Sequence, residues 1–226
     1  MKYILEWIVE YVLIILHFPL TILNFFLPNA PVKESRLQIP IILVERWLKR
    51  NPLHFFMKKF LEKNGFTVYS INFPLLKGNF SESAKALKQF IQEKKLSNII
   101  LVGISCGGLT CYEYLTNYNG WEKTKKFISV GTPFQGAKLG FLLFFMNAGK
   151  ELSPKGSYIQ SLLKNPQVNS DKIYCLGAKY DELVGYKNSF ILNTKQIVID
   201  VAGHNFLHTL WIPTLEKIKN ICLASR

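Results

Sequence analysis

The chain of 226 residues has only four cysteines, Cys106, Cys111, Cys175 and Cys222, with no CxxC pair and no metal-ligand spacing to its four histidines. A disulfide framework and a metal centre are therefore not expected, and the thiols read as reduced and mostly buried. Acidic residues are also few: 15 Asp+Glu stand against 28 Lys+Arg, for a formal charge of +13. Yet no basic block exceeds short pairs such as Lys58-Lys59 and Lys125-Lys126. That scatter argues against a nucleic-acid groove, which gathers its cations on one element. A surface facing anionic lipid headgroups accounts for the charge as well. There is no internal repeat, no low-complexity tract, no P-loop lysine and no G-x-G-x-x-G, so no cofactor is expected.

What is present begins with an apolar stretch from Tyr3 to Leu27. It is long enough to cross a bilayer core of roughly 30 Å at about 1.5 Å per helical residue. Glu6 and Glu10 lie four apart on one helical face, and His17, Pro19 and Asn24 interrupt the rest. A tilted span, an interfacial helix and a re-entrant hairpin bent at Pro19 all remain open, beside a buried core helix. A secretory signal peptide fits less well, because Lys2 alone forms the basic region and "LPNAP" is a poor cleavage site. Lys33, Arg36, Arg46, Lys49 and Arg50 follow the segment. If it spans, the positive-inside rule places the following domain in the cytoplasm.

Residues 31–226 then read as one α/β domain behind a membrane anchor at 1–30. Six short apolar runs rich in Val and Ile, "IPIILV", "FTVYSINF", "NIILVG", "KFISVG", "KIYCLG" and "KQIVIDV", alternate with helical patterns. This predicts an α/β fold with a mostly parallel six-stranded sheet and helices on both faces. The helix "SESAKALKQFIQEKKL" is expected to start on Ser81 as N-cap and to present Ala84, Leu87, Phe90 and Ile91 as its apolar stripe. The last helical segment contains Pro213, which should kink or split it. An insertion at about 135–166 is too long for a simple crossover, and its "GFLLFFMNAG" reads as a buried helix or as a cap over an apolar ligand.

The chemistry is carried by "GISCGG", between a strand and a helix. A serine hydroxyl needs a base, a group orienting that base, and donors for the developing oxyanion. A sharp strand-to-helix turn presents such a serine at the carboxyl edge of a sheet and demands small residues two positions either side. Gly103, Ser105 and Gly107 fit that spacing, and the N–H of Cys106 becomes one oxyanion donor. Asp181 follows the fifth strand and His204 the sixth, so both fall on the edge that carries Ser105. Glu182 is the nearest rival acid, and Asp200 lies inside a strand; His208 is placed one turn into a helix, where it packs or caps.

In "GISCGG", "GTPFQGAKL", "ELSPKGSYIQSL", "YDELV" and "GHNFL", taken in this order, the chain resembles the α/β-hydrolase superfamily, in its lipase and esterase branch. The resemblance implies Ser105 as nucleophile, Asp181 as acid and His204 as base. It makes the apolar insertion a lid or acyl-chain channel, with Phe134, Phe141, Leu142 and Phe144 as candidate substrate contacts. Its implied activity is hydrolysis of lipid or other apolar esters, or acyl transfer through the same acyl-enzyme. One departure stands out. Where the family carries His-Gly after the first core strand, this sequence has Glu45 and Arg46, and alignment makes Trp47 the second oxyanion donor. Without that glycine the loop turns differently or the hole is incomplete. Glu45 and Arg46 are expected to form a local ion pair beside the site or, for Arg46, to lie on a surface loop. An incomplete hole would leave a catalytically inactive binding module at a membrane.

Overall fold

The computed structural model describes residues 2–24, 32, 37–47, 54–74, 79–137, 152, 157–164 and 169–224. Helix α1 (Lys2–Asn24) precedes β1 (Leu37–Trp47), α2 (His54–Lys63), β2 (Phe66–Pro74), α3 (Phe80–Glu93), β3 (Ile99–Ile104) and α4 (Cys106–Asn117). Then come β4 (Thr124–Val130), α5 (Ser157–Lys164), β5 (Ile173–Tyr180), β6 (Lys195–Ala202), α6 (His204–Thr209) and α7 (Ile212–Leu223). All strand pairs are parallel, in the order β2-β1-β3-β4-β5-β6. From β1 the chain steps outward to β2 and then back to β3 on the other side. The carboxyl ends of β1 and β3 therefore flank a topological switch point, where crevices form in open α/β sheets.

At the centre of the sheet the apolar runs are continuous because both faces are covered; the edge strand β6 alternates instead, with Lys195, Gln196, Val198 and Asp200 exposed. All six residues of β3 are buried. Alternation along β1 sends Ile42 and Val44 against α3, α4 and α5, while Ile41 and Leu43 pack against α2, α6 and α7. The second half of the expected insertion is partly core: Leu152, Ile159 and Leu162 are buried, and Tyr158 stacks on Phe80 with ring centroids 5.2 Å apart. Residues 138–151 of that insertion lie outside the described residues, including Phe141, Leu142 and Phe144.

Three local expectations are revised. The N-cap of α3 is Asn79, not Ser81: the Asn79 side chain accepts from the Glu82 N–H at 2.8 Å, and the Glu82 carboxylate accepts from the Asn79 N–H at 3.1 Å. This reciprocal box satisfies two otherwise orphaned donors, whereas Ser81 bonds the Tyr118 hydroxyl at 2.6 Å. Strand β1 runs three residues past the apolar run, through Glu45, Arg46 and Trp47. Helix α1 continues through Pro19, so no hairpin forms there. Pro213 does split the last segment, into α6 and α7.

Helix α1 is amphipathic with its faces reversed. Glu6, Glu10, Leu13 and Thr21 are buried against the domain, one to two turns apart, while Ile4, Leu5, Ile8, Ile15 and Leu23 are exposed. At its start, the Lys2 ammonium lies 2.9 Å from an Asp200 oxygen and the Tyr3 hydroxyl donates to Asp200 at 2.8 Å. By length and composition α1 is apolar enough to cross a membrane, with a mean hydropathy of 1.6 over Lys2–Leu23.

The capping box gives a direct test. Asn79→Ala should lower the unfolding free energy by about 1 kcal/mol in a denaturant titration. An unchanged midpoint would show that α3 does not depend on its cap.

Candidate active site

Ser105 stands between β3 and α4 at φ 49°, ψ −127°, a conformation rare for a residue with a side chain. Its neighbours explain how the turn is held. A Cβ on Gly107 would lie 2.1 Å from the Val44 carbonyl oxygen, and one on Gly103 would lie 2.4 Å from the Gly108 Cα. The Ser105 N–H is tied to the Val130 carbonyl at 2.9 Å. The hydroxyl is thereby presented at the carboxyl edge, with Cys106 opening α4 beside it. The N–H groups of a helix's first turn carry no intrahelical partner and a positive partial charge, which suits them to an oxyanion.

The three sequence-selected residues come together. His204 Nε2 lies 3.0 Å from Ser105 Oγ, and His204 Nδ1 lies 2.8 Å from an Asp181 carboxylate oxygen. A carboxylate only accepts, so Nδ1 carries the proton and Nε2 of the neutral ring is left to accept from the serine. The other Asp181 oxygen accepts from the N–H groups of Leu183 at 3.0 Å and Val184 at 2.7 Å. Burial favours the neutral acid at Asp181, but His204 and the surrounding N–H groups outweigh it and hold the carboxyl below its usual range. At His204 burial opposes the charged form; Asp181, by charge and hydrogen bond, with Glu182 and Glu10 behind it, prevails and raises the imidazole to about 9.

The rival groups have other partners. Glu182 accepts from the His204 N–H at 3.1 Å. Burial, then the charge of nearby Glu10, pushes the Glu182 carboxyl up to about 8. Asp200 is exposed and held by Lys2, Tyr3 and Lys179. His208 packs edge-on to His204 at 5.0 Å, and its Nδ1 lies 2.9 Å from His54 Nε2. His54 Nδ1 in turn lies 2.9 Å from a Glu45 oxygen. Burial, then the charges of His54 and His204, hold His208 well below the usual imidazole range. This second acid–histidine–histidine chain has no motif in the sequence; its members come from β1, α2 and α6.

Glu45 and Arg46 lie on β1, not on a surface loop, and each reaches partners on another element. Both are buried, and strand alternation sends them to opposite faces. Glu45 reaches His54, while the Arg46 guanidinium sits 4.5 Å above the Phe80 ring and donates to the Asn79 carbonyl at 3.1 Å and to the Ser83 hydroxyl. Trp47 ends β1 opposite Pro74, and none of residues 45–47 has a positive φ, so the sharp turn expected of a second oxyanion donor is not made here. Phe134 is fully buried with edge-on contacts to Tyr112 and Phe127, which makes its ring part of the core instead of an open channel wall. The described residues hold no cluster of metal-ligating side chains.

Neither family models nor curated protein sequences match the chain. Solved structures do. The lipase BlEst2 of Bacillus licheniformis in its mature form is similar with a TM-score of 0.69 and 18% identity, over 84% of this chain and 96% of that one. An esterase from Exiguobacterium antarcticum is similar with a TM-score of 0.58 and 17% identity, over 86% and 93%. Carboxylesterase CesB from Bacillus subtilis gives 0.61 and 11%, over 85% and 86%. These likenesses, together with the strand order, show that the chain has the α/β-hydrolase fold.

For a proton to pass from Ser105 Oγ to His204 Nε2, 3.0 Å away, the imidazole has to start neutral. The reactive fraction therefore grows about tenfold per pH unit below the imidazole's value and levels off above it. The rate at which a phosphonate modifies Ser105 should rise through a limb at about 9. A limb near 6.5, the ordinary histidine value, would mean that the surrounding carboxylates do not act on the ring.

Proposed function

We propose that this protein is a serine hydrolase that cleaves carboxylic esters of lipids or other apolar acyl compounds at a membrane surface. The observation that carries the reading is the hydrogen-bonded line from Ser105 Oγ through His204 to Asp181, on a serine held in a strained strand-to-helix turn. In this mechanism Ser105 Oγ attacks the ester carbonyl carbon as its proton passes to His204 Nε2. The Cys106 N–H faces the oxyanion. His204 then protonates the departing alcohol, leaving an acyl-enzyme, and a water deprotonated by the same nitrogen releases the acid and restores the serine. The similar proteins are named lipases and esterases, which supports an ester as substrate.

The membrane half of the proposal rests on α1. Its outer face exposes large aliphatic side chains, and the chain carries a formal charge of +13. An interfacial helix with its outer face in lipid accounts for both, while its buried glutamates stay on the protein. A spanning helix would surround those glutamates with hydrocarbon. The straight course of β1 through Glu45, Arg46 and Trp47 favours one rival, a hydrolase fold that binds at membranes without turning over.

Labelling by a fluorophosphonate separates these. Wild type should label, Ser105→Ala should not, and Asp181→Asn should lose roughly 10³–10⁴-fold in ester turnover while staying folded. No labelling of folded wild type would sink the hydrolase and leave the binding module. Separately, Ile8→Asp with Ile15→Asp should weaken sedimentation with anionic vesicles at least about tenfold, since each aliphatic side chain buried is worth roughly 1.5–3 kcal/mol. Equal sedimentation of wild type and variant would sink the interfacial placement.

A further inference from the structure

We infer that α1 completes the active site, with Glu10 as a positioning residue that holds the turn carrying His204; the inference rests on the hydrolase reading above. His204 stands just beyond β6, where five successive N–H groups, from Ala202 to Phe206, all need acceptors. The Gly203 N–H goes to the Tyr180 carbonyl at 3.0 Å, and that of His204 to Glu182 at 3.1 Å. The other three go to α1. Glu6 accepts from Ala202 at 2.7 Å, and Glu10 accepts from Asn205 at 3.0 Å and Phe206 at 2.7 Å. Glu10 also takes the Asn205 side-chain amide at 2.7 Å.

Glu10 thus does for α6 what an N-cap side chain does for its own helix. The residue in the N-cap position, Gly203, has no side chain to offer. Its glycine is matched to the visitor: φ is 104°, and a Cβ there would lie 2.4 Å from a Glu10 carboxylate oxygen. Glu10 is fully buried, although it belongs to an otherwise strongly apolar helix some 195 residues away in sequence from the turn it holds. Glu6 and Glu10, four apart on one face of an apolar helix, are the contacts that dock it.

The consequence for catalysis is geometric. The imidazole must keep Nε2 within reach of Ser105 while Nδ1 stays on Asp181, and the backbone from which it projects is fixed largely from α1. Several charged or titratable groups face this turn. Asp181 and Glu182 come from the segment after β5, Glu6 and Glu10 from α1, His208 from α6, and His54 from α2 behind it. At the alkaline pH where His204 loses its proton, removing the Glu10 charge leaves one fewer anion to hold that proton.

The test uses the full chain, detergent-solubilised, and follows fluorophosphonate labelling of Ser105 against pH in wild type, Glu10→Ala and Glu10→Gln. Glu10→Ala should label slower on the order of 10²-fold, as displaced catalytic groups do. Glu10→Gln, which keeps the shape and one acceptor oxygen, should lose less in rate. Both should move the pH limb to lower values, and a purely structural contact would leave that limb in place. Amide exchange across 202–206 should quicken in the alanine variant. Should Glu10→Ala not fold, Glu10→Gln decides alone by its pH limb. Labelled wild type with unchanged rates and limbs in the folded variants overturns this inference and leaves the hydrolase. Unlabelled wild type overturns both.

Discussion

Three stretches of backbone meet at Ser105 with no room for a side chain between them. The first turn of α4 lies against the carboxyl end of β1 at Gly107 and folds back on β3 between Gly103 and Gly108. That squeeze forces Ser105 to a positive φ, a strain of about 1–3 kcal/mol that only a rigid surround sustains. The surround is the parallel sheet, which pairs β3 on both sides and also decides where the partners arrive. In a parallel sheet every strand ends at the same edge. The register sets Tyr180 beside Ala202, so the next residues, Asp181 and the Gly203-His204 turn, emerge together. His204 must then cross the end of β4 to reach Ser105. Gly131 leaves it the space, since a Cβ there would come within 3.0 Å of the imidazole Cε1.

The end of β1 follows a different logic from the one its resemblance implied. A glycine there would let the backbone turn; Glu45 and Arg46 instead extend the strand and act as struts. Because alternate residues face opposite sides, one strut reaches α2 through His54 and the other reaches the start of α3 through Asn79, Ser83 and the Phe80 ring. Both charges are buried, and a buried charge is tolerated only where partners compensate its desolvation. Two strong side-chain ties at successive residues therefore replace one conformational freedom, and they fix the strand end that α4 packs against.

Much of this was legible in the sequence. Six runs rich in Val and Ile became six parallel strands, continuously apolar where both faces are covered, as in β3, and partly exposed at the edges, as in β6; the serine, acid and histidine lie in that order at three strand ends on one edge. Local chemistry was legible too where a residue's type restricts it, as with Pro213 in the first turn of α7. What could not be read were choices made by distant partners. Asn79 outcompeted Ser81 because Glu82 stands three residues after it, a pattern visible in retrospect as a capping box. The pairing of Glu45 with His54 and of His54 with His208 needed the fold itself, since no spacing in one chain announces three elements meeting.

The N-terminal helix shows why composition alone misleads. Hydropathy averages over the circumference, so a helix that is apolar on one face and carboxylate-bearing on the other scores like an imperfect span. The four-residue spacing of Glu6 and Glu10 was the informative feature. Two carboxylates one turn apart in hydrocarbon carry a heavy desolvation cost, whereas here each finds backbone N–H donors on the turn around His204. Once those donors are counted, the polar face is satisfied by the protein and only the aliphatic face is left over. A lipid surface would cover that face without competing for the inner one. The same helix would then join a lipid surface to the turn that carries His204, and Gly203, bare where Glu10 enters, is the point at which the two meet.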